Sequence, residues 1–112
     1  MKYQLLIYVD PTQEPPASEH EAFMTYTRDL AQAGILVAGE ALEGTDTATT
    51  VSVRDGQTIT VDGPFAETKE ILGGFYIIDV GHLDDAIKWA AKIPTSSRGR
   101  TEVRPVREMP EP

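Results

Sequence analysis

The side chains best suited to chemistry in this sequence cluster between residues 61 and 80, VDGPFAETKEILGGFYIIDV. Asp62 opens the turn Asp62-Gly63-Pro64-Phe65. Two readings compete for it. In one, the carboxylate caps nearby backbone N–H groups as an Asx-turn. In the other, it is a general base or ligand-orienting acceptor on a cleft wall, which needs reach and a tuned proton affinity. Glu67, Lys69 and Glu70 follow. They fit a short solvated helical turn. If the segment instead folds over an open sheet face, Lys69 binds a carboxylate substrate. Gly73-Gly74 permits close backbone approach, to a ligand or to a packed helix. Glu40 ends the ILVAGE stretch and is either a solvated side chain or a second carboxylate at the sheet rim. Tyr8, Phe65 and Tyr76 would be the apolar or stacking walls of such a cleft.

Other chemistries are poorly supplied. The chain has no cysteine, so disulfides and thiolate chemistry are excluded. Its two histidines, His20 and His82, have no paired ligand spacing, so no zinc or iron site and no cofactor is expected. His20 falls in a first helical turn and His82 at a helix N-cap. Neither a glycine-rich phosphate loop nor a nucleophile elbow is present. Formal net charge is −8, with −6 of it in residues 1–50. Such a surface repels phosphate backbones, which disfavours direct nucleic-acid binding. Arg98, Arg100, Arg104 and Arg107 form the basic exception. They read as a solvated C-terminal edge, or as an anchor for an anionic ligand or an acidic partner face. The chain lacks the apolar run of about 18 residues that a membrane helix needs. It also begins directly with a strand pattern, so a cytoplasmic location is expected.

These side chains must be positioned by a small set of elements. At 112 residues the expectation is one domain over 1–112. Residues 2–10 alternate as a strand with apolar groups on both faces. Prolines interrupt 11–17. Ser18 with Glu21 spells a capping box. Phe23, Tyr26, Leu30 and Ala33 then keep helical spacing until Gly34 stops the helix. Residues 35–39 read as a strand and 41–48 as a loop. Thr49–Arg54 and Gln57–Val61 flank Asp55-Gly56, a strong hairpin signal. Phe75–Val80 is a strand. Asp84 and Asp85 favour a helix start, Leu83, Ile87, Ala90 and Ala91 would be its buried stripe, and Pro94 ends it. Glu102–Val106 is a last strand, kept at an edge by Pro105.

The order βαβ, hairpin, βαβ points to an α+β, ferredoxin-like sheet with both helices on one face. One apolar set would then be left uncovered: Leu6, Tyr8, Tyr76 and Ile78 if Tyr3, Leu5, Phe75 and Ile77 face the helices, or the reverse. Exposing it costs about 25 cal/mol per Å². A second copy stacked face to face is the simplest cover, so a homodimer is expected. The segments 40–48 and 65–72 are the alternative, partial cover.

Taken whole, the chain resembles the YCII-related family in its DGPF branch. The resemblance rests on MKYQLLIY at the start, AGILVAGEAL at 33–42, TVSVRDGQTITVDGPFAETKEILGGFYIIDV at 50–80, AIKWAAKIP at 86–94 and EVRPV at 102–106. It implies a ferredoxin-like fold assembled as a dimeric α/β barrel. The broader YCII branch further implies a His–Asp pair in a cleft between sheet and loops, the histidine on the first helix. That position falls near Ala22 or Phe23 here, with His20 adjacent and unmatched, so the sequence departs from that acid–base pair. Two functions follow. The first is a small-molecule cleft in each protomer, binding or catalytic, with Asp62 as base or acceptor, Glu40 as second carboxylate, and Tyr8, Phe65, Lys69 and Tyr76 as ligand contacts. The alternative is a non-catalytic accessory module linked to an extracytoplasmic-function sigma factor, with which the resembling family is often encoded.

Overall fold

The computed structural model describes residues 1–110, and the last two residues of the expected domain lie outside them. Strand β1 (Lys2–Val9) leads to helix α1 (Glu19–Gln32) and strand β2 (Leu36–Ala41). A hairpin follows, β3 (Thr49–Arg54) and β4 (Gln57–Asp62), and then β5 (Ile71–Asp79), α2 (Leu83–Ala91) and β6 (Arg100–Pro105). The main sheet has the order β2-β5-β1-β6, and each neighbouring pair is antiparallel. The strands joined by a helix are therefore separated by one intervening strand. This is the split βαβ, ferredoxin-like arrangement that the element order implies. β3 and β4 form a second, two-stranded sheet of their own.

The helix signals are satisfied unevenly. α1 ends in a Schellman motif. Gly34, at φ +73°, donates to the Ala31 carbonyl, and Ile35 donates to that of Leu30. Its start differs from the expected capping box, because Ser18 is already helical in φ/ψ and makes no side-chain cap bond. α2 presents Ala86 and Ala90, with Ile93 beyond its end, to the core. Leu83 and Ile87, expected in that stripe, are exposed. The buried alanines bring the helix backbone close to the sheet, which turns the longer side chains outward.

The core lies between the helices and one sheet face. Tyr3, Leu5 and Ile7 of β1 and Tyr76 and Ile78 of β5 pack under Tyr26, Leu30, Ala86 and Ala90. The register explains this set: Leu5 pairs with Tyr76, and Tyr3 with Ile78. Directly opposed residues share a face. Tyr76 therefore belongs with Tyr3 and Leu5. The grouping of Tyr76 with Leu6 and Tyr8 is overturned. Leu6 and Tyr8 share the other face with Phe75, Ile77 and Leu72.

β5 also starts earlier than Phe75, at Ile71, and takes in the glycine pair. A bulge there pairs Ile7 with Gly74 and Tyr8 with Leu72. A Cβ on Gly74 would lie 2.9 Å from the Glu40 carbonyl oxygen, too close for a side chain. The approach that the pair permits is thus to the β2 backbone.

The hairpin turn is as its sequence implies, with Asp55 at φ 51° and Gly56 at φ 75°. The hairpin does not fold back over the sheet. Val51, Val53, Ile59 and Val61 are between 43% and 60% exposed. The molecule measures 47 × 43 × 19 Å, with a radius of gyration of 16.2 Å. A compact chain of this size has a radius of about 13 Å. The 19 Å thickness is that of one sheet and one helix layer, so the hairpin leaves sideways as an arm. Neither the helices nor the hairpin thus lies over the second sheet face, on which Leu6 is buried and Phe75 and Ile77 are half-buried.

Candidate functional site

Chemistry-bearing side chains converge at the end of the main sheet where β1 finishes and β5 and β6 begin. Tyr8 on β1 pairs with Leu72 on one side and Arg100 on the other. Glu70 immediately precedes β5, and its carboxylate forms an ion pair with the Arg100 Nε at 2.9 Å. The Tyr8 hydroxyl donates to Glu102 Oε1 at 3.4 Å, a long bond. With Thr101, these residues line an open groove of about 390 Å³ on the uncovered face. That volume is in the range of small-molecule sites.

The surrounding chain holds the groove in place. A Cβ on Gly99 would lie 2.3 Å from the Tyr8 carbonyl oxygen, so the approach to β6 crosses β1 where no side chain fits. Arg98 locks that approach to the start of α1. Its Nε donates to Glu19 Oε2 at 3.0 Å, and its second guanidinium nitrogen reaches both carboxylate oxygens at 2.7 and 2.8 Å. The pair is mostly buried, 22% and 17% exposed. On the other flank, the Thr12 hydroxyl and then its N–H, helped by the nearby Lys69 ammonium, hold the Asp10 carboxyl below its usual range.

The groove therefore offers the Arg100 guanidinium, two carboxylates and a phenol, while the Thr101 hydroxyl turns to that of Ser96 on the helix-covered face. Arg100 suits a carboxylate or phosphate oxygen. Glu102 and Tyr8 suit a hydrogen-bonded hydroxyl or amine. The arginine cluster thus divides by role: Arg98 is spent on Glu19, Arg100 faces the groove, and Arg104 and Arg107 are exposed.

Of the site residues expected from sequence, Tyr8 lines this groove, and Lys69 lies outside its lining, near Asp10. Tyr76 does not, because it lies on the helix-covered face. Its ring packs edge-on against Tyr26 with centroids 5.3 Å apart, and its hydroxyl is 2.7 Å from that of Thr27. Asp62 is exposed at the root of the arm, and Phe65 is 91% exposed just beyond it. No Asx-turn forms at Asp62. The turn is held instead by Gly63 donating to the Ala48 carbonyl at 2.7 Å and by Thr50 Oγ1 donating to the Gly63 carbonyl at 2.9 Å. Glu40 is exposed on β2, opposite Phe75. The segment 67–70 is not helical. Arg100, Thr101, Glu70 and Glu102 were not expected together. Their convergence requires the strand order, which places β6 and the start of β5 on either side of β1.

A second, larger groove of about 670 Å³ lies at the opposite end of β1, beside Met1, Asp79 and Trp89. Lys92 caps the Trp89 ring there at 4.7 Å. None of the expected site residues lines it. His82 approaches Asp85 at 3.6 Å at the start of α2 and is exposed. Among the described residues no group of three or more acidic or imidazole side chains is arranged to hold a metal. No helix of the described residues is long and apolar enough to cross a membrane.

The architecture of two βαβ units around a hairpin agrees with a comparison of sequences. The model of the YCII-related domain matches residues 1–110. The chain belongs to the YCII-related family. An uncharacterized protein of Rhizobium meliloti (strain 1021) is 38% identical over 114 residues, covering 95% of this chain and 92% of that protein. YCII-related membership thus accounts for nearly the whole length, arm included.

Proposed function

We propose that this YCII-related chain works as a homodimer stacked through its open sheet faces, and that each protomer holds a small anionic molecule in the Tyr8–Arg100 groove. One observation carries the reading. The groove adjoins an apolar strip on the sheet face opposite the helices, where Leu6 is buried and Phe75 and Ile77 are half-buried. A second sheet stacked on that strip turns an open groove into an enclosed one. Arg100 takes the ligand's carboxylate or phosphate. Glu102, held by Tyr8, accepts a hydrogen bond or a proton from the rest of the ligand. Glu40 and Asp62 join the site only as assembly brings them near: Glu40 from the open face and Asp62 from an arm.

Thermal-shift screening of small carboxylates and phosphates tests the ligand, since a binder of the native state raises Tm. The expected result is a shift that disappears in Arg100→Ala. A shift that persists in Arg100→Ala moves the site elsewhere. The accessory-module alternative rests on the resembling family's gene neighbourhood alone, and no residue described above favours it.

A further inference from the structure

The arm poses a separate problem. A two-stranded hairpin alone is marginal in water. Here Val51 and Val53 pair with Thr60 and Thr58 on one face, while Ile59 and Val61 pair with Ser52 and Thr50 on the other. Both faces are therefore half apolar, and both are exposed. Phe65, the most exposed large apolar side chain of the molecule, sits at the arm's root. The arm runs sideways past its own sheet, so what it meets belongs to another molecule.

Charge selects where it docks. Residues 42–68 carry five acidic side chains and one basic, net −4. Residues 100–107 carry three arginines and one glutamate, net +2, with Arg100 already paired to Glu70 and Arg104 and Arg107 left on the rim. Arg100, Arg104 and Arg107 are all exposed. Arg100 and Arg104 share the open face with Tyr8 and Gln4, their partners across the ladder. The acidic arm and the basic β6 rim belong to the same chain, yet the arm is inserted between β2 and β5 while β6 is the opposite edge of the sheet. Two-fold symmetry makes such a contact self-complementary and reciprocal.

Building on the homodimer reading above, we infer that the arm of each copy crosses to the β6 rim of the other, laying Asp62 and Phe65 against the second copy's Arg104. Each groove is then a composite, with β1, β5 and β6 from one chain and its outer wall from the other chain's arm. A single protomer has an incomplete site.

The absence of cysteine allows a clean test. Phe65→Cys chains are mixed with tagged Arg104→Cys chains, exchanged, and treated with a short bismaleimide. Phe65→Cys mixed with Leu83→Cys is the control, because Leu83 is exposed on α2, which packs against the other face of the sheet. The expected product is a covalent heterodimer of Phe65→Cys with Arg104→Cys, well above the control. In parallel, Arg104→Glu weakens the dimer about three- to fivefold, and adding Asp62→Lys restores it, as for an exposed ion pair. If sedimentation shows a dimer but the cross-link stays at the control level, the arm inference is overturned and the sheet-face dimer stands. Cross-linking of Phe65→Cys chains to one another in preference to the rim also overturns it, since the arms then meet each other. A monomer in sedimentation overturns both.

Discussion

Gly99 lies against the Tyr8 carbonyl so closely that a Cβ would sit 2.3 Å from the oxygen. This contact sets the path by which Arg100 reaches the groove. Gly99→Ala forces backbone or strand displacement of the kind that costs about 1–3 kcal/mol. In a domain of this size each kcal/mol is worth roughly 4–8 °C in Tm. A melt of Gly99→Ala within about 1 °C of the parent would show that the crossing relaxes freely.

Arg98 and Glu19 form the bidentate link behind that crossing. Removing one partner leaves the other charge in a site that is mostly closed to water. Arg98→Ala and Glu19→Gln are each expected to cost about 2 kcal/mol, with the double variant far from additive. Additive losses in denaturant melts would mean that the pair contributes no coupling.

Much of this was legible from sequence. Asp55-Gly56 gives the hairpin, Gly34 gives the end of α1, and the alternation in residues 2–10 gives a strand with two apolar faces. Alternation does not give register, however. The sequence pattern alone puts Tyr76 on the wrong face, because only the pairing of Leu5 with Tyr76 shows which β5 residues share a side with which β1 residues. The glycine pair hid a bulge, and so the true start of β5. The groove depends on the same long-range order. Tyr8 was recognisable as an aromatic on a two-faced strand, but Glu70 and Arg100 are thirty residues apart in the chain and meet only across β1.

Tyr26 links the two helices by donating its phenol hydrogen to the Trp89 carbonyl at 2.8 Å. Burial, and then the neighbouring Tyr76 phenol, raise its proton affinity above the ordinary tyrosine value of 10.0. The neutral form is therefore favoured in the native state. This contribution is fully present below pH 10.0 and is lost as pH rises, because the unfolded chain releases its proton first. Tyr26→Phe should cost about 1 kcal/mol at neutral pH and flatten the alkaline fall in stability. An unchanged slope between pH 9 and 11 (roughly one unit either side of a free tyrosine) would contradict this.

The Asp62-Gly63 turn separates architecture from function. The Asp62 carboxylate makes no hydrogen bond among the described residues and is exposed, while Gly63 holds φ at +101°. Asp62→Asn is expected to melt within a few degrees of the parent, the small loss being that of one exposed ion pair between copies. Gly63→Ala is expected to lose about 1 kcal/mol or more through backbone strain. The reverse order in paired thermal melts would return the structural role to the carboxylate.

Sedimentation equilibrium at micromolar concentration is the most direct test of the homodimer. The parent chain is expected at twice the protomer mass of 12.3 kDa, with an interface above about 1,000 Å². Ile77→Asp, which puts a charge in the apolar strip of Leu6, Phe75 and Ile77, is expected at 12.3 kDa with its helical circular dichroism intact. A parent chain that sediments at 12.3 kDa, or an Ile77→Asp variant that stays dimeric, would contradict the account.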